Sequence, residues 1–203
     1  MLALAKEALL DSKTTHVLFC TESCIPVSSW KDSALRMLKN DTSYLNAYHS
    51  SDTRFTRFDE RSCWSKLAVH IPYIAIWKAV PGWCVLCRKH IQRILDMPRN
   101  HLSGNELWPA FQRVWAPEEV FFPTALSLLG ILPSDEVCLQ SLVFSKFIPG
   151  QAHPMEYDFE KIDWNKIMNH SEYITLRKVK RPVNVNTWER ILLSGTMNGS
   201  EAG

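Results

Sequence analysis

Short apolar runs alternate along this chain with stretches of helical periodicity, and that alternation restricts the fold more than any other feature. His16-Val-Leu-Phe-Cys20 is an apolar run ending in polar Thr21-Glu22-Ser23. Its length and polar boundary predict a buried strand opening into a loop. Trp83-Cys-Val-Leu-Cys87 reads the same way, and a helix is expected from Arg88 to about Leu95, stopped by Pro98. Leu142–Ile148 and Tyr173–Val179 read as further strands, with a helix around Phe159–Met168 between them. Residues 2–10 read as a helix, and Ser28 or Ser29 can cap another running to about Leu38. A short helix is expected near Glu106–Val114, and Thr187 can cap a last one through Leu193. The alternation predicts an α/β chain with a mixed, mostly parallel sheet flanked by helices. Residues 1–193 are expected to form the domain and 194–203 a disordered tail. Residues 49–66 are polar and without periodicity, so they read as a long surface loop.

Composition bounds the function classes. With 46% hydrophobic and 22% charged residues among 203, the chain can bury a core. A formal charge of +2 is too small to recruit nucleic acid by bulk electrostatics. No stretch reaches the length of a membrane span. Lys6 and Glu7 interrupt the first apolar run, which therefore reads as an amphipathic helix and not as a signal peptide. Eight Trp, nine Phe and five Tyr suit sugar stacking, although such rings mostly fill cores. Cys84-Val-Leu-Cys87 has the spacing of half a zinc site, with Cys20 and Cys24 as partners. Against zinc, residues three apart on a strand point to opposite faces. Disulfides or buried thiols remain open. Asn40, Asn169 and Asn198 begin glycosylation triplets, which lean towards a luminal compartment.

Three constellations carry chemistry. Ala116-Pro-Glu-Glu119-Val-Phe-Phe-Pro-Thr124 places Pro117, Glu118 and Glu119 at a helix start, where carboxylates suit the dipole and can serve as a general base. Thr21-Glu-Ser-Cys-Ile-Pro26 follows a strand end, where ligands collect in open α/β sheets. Leu176-Arg-Lys-Val-Lys-Arg181 ends a strand in clustered cations that can neutralise a diphosphate. Each has a plain structural alternative: helix-start decoration, a turn, and a solvated edge. The sequence holds no histidine spacing for a metal, no Gly-rich phosphate loop, and no Asp-x-Asp pair.

The order of these segments resembles the core-2/I-branching N-acetylglucosaminyltransferase family (glycosyltransferase family 14), especially its plant-type members. The resemblance is carried by His16–Val27, by Ile76–His90, by Glu118-Glu-Val-Phe-Phe-Pro-Thr124, by Ala152-His-Pro154 and by Leu176-Arg-Lys178. It implies a GT-A-like fold that moves a sugar, N-acetylglucosamine or a related one, from a UDP-sugar to a glycan acceptor hydroxyl, with inversion and without a metal or other cofactor. By position, Glu119 is then the catalytic base. Lys178 is the phosphate-binding lysine with Arg177 as helper, and Glu22, Ser23, Trp77 and Arg88 are expected to line the site, packing being the expected main task of Trp77 and Trp83.

The resemblance also implies a Golgi protein facing the lumen, held by an anchor outside this sequence, and an N-terminal portion ahead of residues 1–15. The expected partners are donor and acceptor, not nucleic acid. Two other readings stand beside it: a catalytically silent relative or fragment that acts as a binding module, and a zinc or nucleic-acid binder built on Cys84, Cys87 and Arg177–Arg181.

Overall fold

The computed structural model describes residues 1–38, 41–52, 67–79, 83–97, 107–112, 114, 116–148, 151, 153–168, 172–186 and 188–189. Most of the polar 49–66 stretch, Cys63, Pro98, Ala152, Thr187, the three triplet asparagines and the 194–203 tail lie outside the described residues. In chain order the elements are α1 (Leu2–Ala8), β1 (His16–Leu18), β2 (Ile25–Pro26), α2 (Trp30–Leu38), β3 (Ser43–Tyr44) and β4 (Ala47–His49). There follow β5 (Trp77–Ala79), β6 (Val85–Cys87), α3 (Arg88–Leu95), α4 (Leu107–Phe111), α5 (Glu118–Leu128) and β7 (Val137–Cys138). The last are β8 (Val143–Ser145), α6 (Trp164–Met168) and β9 (Thr175–Arg177).

These elements fall into two compact units, each made of two chain segments. One contains Met1–Phe19 and Asp41–Ser141, the other Cys20–Asn40 and Leu142–Gly203. The first holds a four-stranded sheet in the order β1-β6-β3-β7 and the β4-β5 pair; the second holds a three-stranded sheet, β2-β9-β8. The chain is α/β and its sheets are mixed, but the expectation of mostly parallel pairing is corrected. Among the named strands β3–β7 and β8–β9 run parallel, while β1–β6, β3–β6, β2–β9 and β4–β5 are antiparallel. Parallel pairing needs each strand to return by a crossover beside its predecessor. Here β6 instead enters between β1 and β3, opposed to both. Alternation of element types in sequence carries no information about that insertion.

Several boundaries follow from local chemistry. Ser29 accepts the Asp32 amide at 3.1 Å and its hydroxyl donates to the Asp32 carboxylate at 2.6 Å, which seats the start of α2 as expected. Helix α3 spans Arg88–Leu95, the range read from periodicity. Arg88 ties two segments together. Its guanidinium donates to the carbonyls of Leu9, Asp11 and Thr14, closing the chain that leaves α1. Helix α5 stops in a Schellman turn: Ile131 donates to the Leu126 carbonyl and Gly130 to that of Ser127, each at 2.9 Å. Gly130 holds a φ of +70°, the left-handed value that favours glycine.

Each unit has its own core. In the first, α5 is buried all round from Val120 to Leu126, so it is the central helix of its unit and not a surface one. Phe19 packs on Phe122, and Phe121 meets both Phe111 and Phe122 edge-on. Trp77 belongs to this core, as expected. In the second unit Ile25, Val27, Phe159, Ile162, Trp164, Ile167, Leu176 and Val179 pack together.

Candidate functional site

The start of α5 is built under strain. Ala116 has a φ of 54°. Left-handed backbone costs a residue with a Cβ about 1–2 kcal/mol, and such conformations persist where the surroundings impose them. Pro117 follows, and its carbonyl accepts the amides of Val120 and Phe121, so the turn carrying Glu118 and Glu119 is closed at its first residues. Pro123, inside the helix, has no N–H to give to the Glu119 carbonyl four residues earlier. A small pocket of about 180 Å³ lies against this turn, lined by Met1, Leu2, Pro117, Glu118, Phe121 and Phe122.

The partner of Glu119 comes from β5. Lys78 places its ammonium 3.1 Å from Glu119 Oε2, with the lysine side chain 5% exposed and the glutamate 25%. A lysine this deep needs a counterion, because an unpaired ammonium in the interior costs several kcal/mol. The glutamate bridges the two environments: one end of the pair is sealed, and the other reaches the surface. A second tie fixes the same two elements. Thr124, fully buried one turn and a half along α5, accepts the Trp77 amide and donates to the Trp77 carbonyl, both at 3.1 Å. Trp77 and Lys78 are neighbours on β5, so the helix is fastened to the strand by backbone at one and by charge at the other.

The sequence reading did not single out Lys78. The signal was a lysine inside the apolar run Ile76-Trp77-Lys78-Ala79-Val80, which calls for a buried or half-buried carboxylate elsewhere.

The remaining candidates lie in the second unit, where the structure brings Glu22, Ser23, Arg177 and Lys178 to one end of the β2-β9-β8 sheet. Beyond the ladder, Val179 donates to the Ser23 carbonyl at 3.0 Å, and the Arg181 guanidinium donates to the Glu22 carbonyl at 2.5 Å. The Ser23 hydroxyl lies 3.0 Å from that of Thr21. Lys178 is 38% exposed and pairs with Glu156 at 2.5 Å, which holds the Glu156 carboxyl below its usual range. Lys180 and Arg181, exposed in the same segment, add to its positive charge.

A further cluster in the first unit escaped the sequence reading. His90 is fully buried; its Nδ1 is 2.7 Å from Ser43 Oγ and its Nε2 is 3.4 Å from Glu136 Oε2. Ser43 Oγ also accepts the Cys87 amide at 3.0 Å. Every group is satisfied when Ser43 donates to Nδ1 and Nε2–H donates to Glu136, a Ser–His–Glu order otherwise familiar from nucleophilic catalysis. Ser43 is fully buried, however, so no substrate reaches its hydroxyl, and the cluster joins β3, α3 and the residue before β7.

Its pH behaviour follows. Burial, opposed by Glu136 and reinforced by Lys89 and Arg93, holds the His90 pKa below its ordinary 6.5. Lys89 first and His90 second hold Glu136 below 4.5. Both folded-state values are depressed, so their stabilisation is full above the unfolded values and is lost as pH falls through the folded ones. Stability is thus expected to drop on acidification below about pH 6.5, and again below about 4.5. His16, also depressed by burial, adds to the first step. Urea midpoints at pH 7, 6, 5 and 4 check this; a midpoint constant from pH 7 to 5 contradicts the role given to His90.

The five described cysteines offer little chemistry. Cys20, Cys24, Cys84, Cys87 and Cys138 are free thiols. Burial raises the pKa of Cys84 and, with Cys24 nearby, that of Cys20, whereas a metal ligand must be a thiolate. Among the described residues no group of three or more His, Cys, Asp or Glu is arranged to hold a metal ion, and no helix is long and apolar enough to cross a membrane. No protein-family model and no curated protein matches the chain.

Proposed function

We propose that this chain serves inverting, metal-independent transfer of a sugar, N-acetylglucosamine or a related one, from a UDP-sugar to a glycan acceptor, on a GT-A-like scaffold. The observation that carries the reading is Glu119: a carboxylate at a strained helix start, held by a buried ammonium and still one-quarter exposed. The motif resemblance through Glu118–Thr124 and Leu176–Lys178 supplies the reaction class.

In the reaction, the acceptor O–H gives its proton to Glu119 as the oxygen attacks the anomeric carbon. The bond from that carbon to the diphosphate oxygen breaks on the opposite face, and its electron pair leaves with UDP. The departing charge is met by fixed cations. Lys178 and Arg177 take that task, with Glu22 and Ser23 beside them; the gathering of these four at one sheet end supports the assignment. By the same resemblance the protein works on the luminal side of Golgi membranes.

Calorimetric titration with UDP, with and without EDTA, followed by a screen of UDP-sugars for transfer, tests the proposal. Micromolar-range binding that ignores EDTA, with turnover of one donor, supports it; well-folded protein that binds no UDP refutes it. A Lys178→Ala variant is expected to bind UDP about tenfold more weakly, the loss of one charge-assisted contact of about 1.5 kcal/mol. Unchanged affinity removes Lys178 from the site.

The second reading, a silent binding module, is favoured by one observation. Lys178 is already paired with Glu156, as Glu119 is with Lys78, and a purely structural network would look the same. Binding of UDP without any transfer would select it.

A further inference from the structure

We propose that Lys78 is the positioning residue for the Glu119 base, an inference that rests on the transfer reading above and names what makes its carboxylate competent. A glutamate at an exposed helix start samples several rotamers, and a base displaced by about 1 Å can lose about a hundredfold in rate. Glu119 is denied that freedom. Its Oε2 is held 3.1 Å from an ammonium whose own side chain is 5% exposed, so the anchor cannot follow the carboxylate into solvent. The anchor is itself held in two ways. Every residue of β5 is buried, and the strand is paired with β4 through Tyr48 opposite Lys78 and His49 opposite Trp77. The double hydrogen bond of Thr124 to Trp77 then fixes α5 against β5 next to the pair. Together these hold one carboxylate oxygen, while the residue keeps the exposure through which an acceptor hydroxyl is reached. Lys78 touches no reacting atom in this arrangement; it acts through Glu119.

The chemistry separates this role from mere stability. An arginine carries the same charge on a similar stem and can hold the same oxygen, whereas a methionine fills the space without holding anything. The experiment compares wild type, Lys78→Arg, Lys78→Met, Glu119→Gln and the Lys78→Met/Glu119→Gln double variant. Each is measured for kcat and donor KM in transfer, for UDP affinity by calorimetry, and for folded fraction by circular dichroism. The expected result is a 10- to 100-fold fall in kcat for Lys78→Met with donor KM and UDP affinity unchanged, on the scale of a misplaced base. Lys78→Arg is expected to recover most of kcat, and Lys78→Met to cost nothing further once Glu119 is Gln. A Lys78→Met enzyme within about twofold of wild-type kcat overturns the proposal, and so does an equal loss in the Glu119→Gln background. If Lys78→Met does not fold, Lys78→Arg decides: a folded arginine variant with no recovered turnover overturns it as well. Wild-type protein with no transfer at all overturns the enzymatic reading and this inference with it, an outcome distinct from active wild type with an indifferent Lys78.

Discussion

Glu119→Gln is expected to lower transfer by about two to four orders of magnitude, the usual contribution of a general base, while leaving UDP affinity nearly intact. The amide keeps the shape of the side chain but cannot take the acceptor proton, and Glu119 is not among the residues assigned to the diphosphate. The same substitution has a structural consequence. It leaves Lys78, 5% exposed, facing a neutral group. The amide carbonyl can still accept from the ammonium, and Glu119 is one-quarter exposed, so the cost stays below the about 3–5 kcal/mol of removing one partner of a buried pair. Both effects have to be read together, so turnover is compared at a temperature where circular dichroism shows both proteins folded. A folded Glu119→Gln variant with normal turnover would refute the assignment of the base. A variant that loses turnover and UDP affinity in parallel points instead to a damaged fold.

Thr124→Val is expected to destabilise the first unit by about 2–6 kcal/mol, although the two side chains have nearly the same shape. Thr124 is fully buried, and its hydroxyl serves both the N–H and the C=O of Trp77. Valine removes the donor and the acceptor at once and leaves two buried backbone groups unpaired, at about 1–3 kcal/mol each. Thr124→Ser keeps both bonds and loses one methyl, which costs about 1 kcal/mol. Urea unfolding that returns the same midpoint for Val as for wild type would show that the contact carries no weight. Transfer is expected to fall with Thr124→Val as well, because α5 then loses its backbone tie beside the Lys78–Glu119 pair.

What was legible in the sequence is what short-range chemistry decides. The Ser29 cap, the bounds of α3 and the start of α5 after Pro117 all depend on residues within a turn of one another. The antiparallel entry of β6 between β1 and β3 was not legible, since strands of two or three residues hold too little pattern to name a partner. The division into two units was hidden for the same reason: each is assembled from segments far apart in the chain. At the site, the helix-start pair Glu118 and Glu119 stood out before Val120-Phe121-Phe122, and only the motif resemblance chose Glu119 between them. Lys78 could not be matched to it, because charge complementarity across an unknown strand–helix contact leaves no periodic trace. Ser43, His90 and Glu136 are likewise three isolated polar residues until β3, α3 and the turn before β7 meet.

The interrupted layout of the two units has a bearing on how the chain is made. Strand β2 pairs with β9, Ile25 opposite Leu176 and Pro26 opposite Thr175. A ribosome adding roughly 5–20 residues per second therefore exposes β2 and α2 for on the order of ten seconds or more before their partner exists. All segments of the first unit have been made by Ser141, before β9 exists. Second-unit sequence made later then supplies the partner of β2, so in synthesis the unit that carries Arg177 and Lys178 is completed after the first.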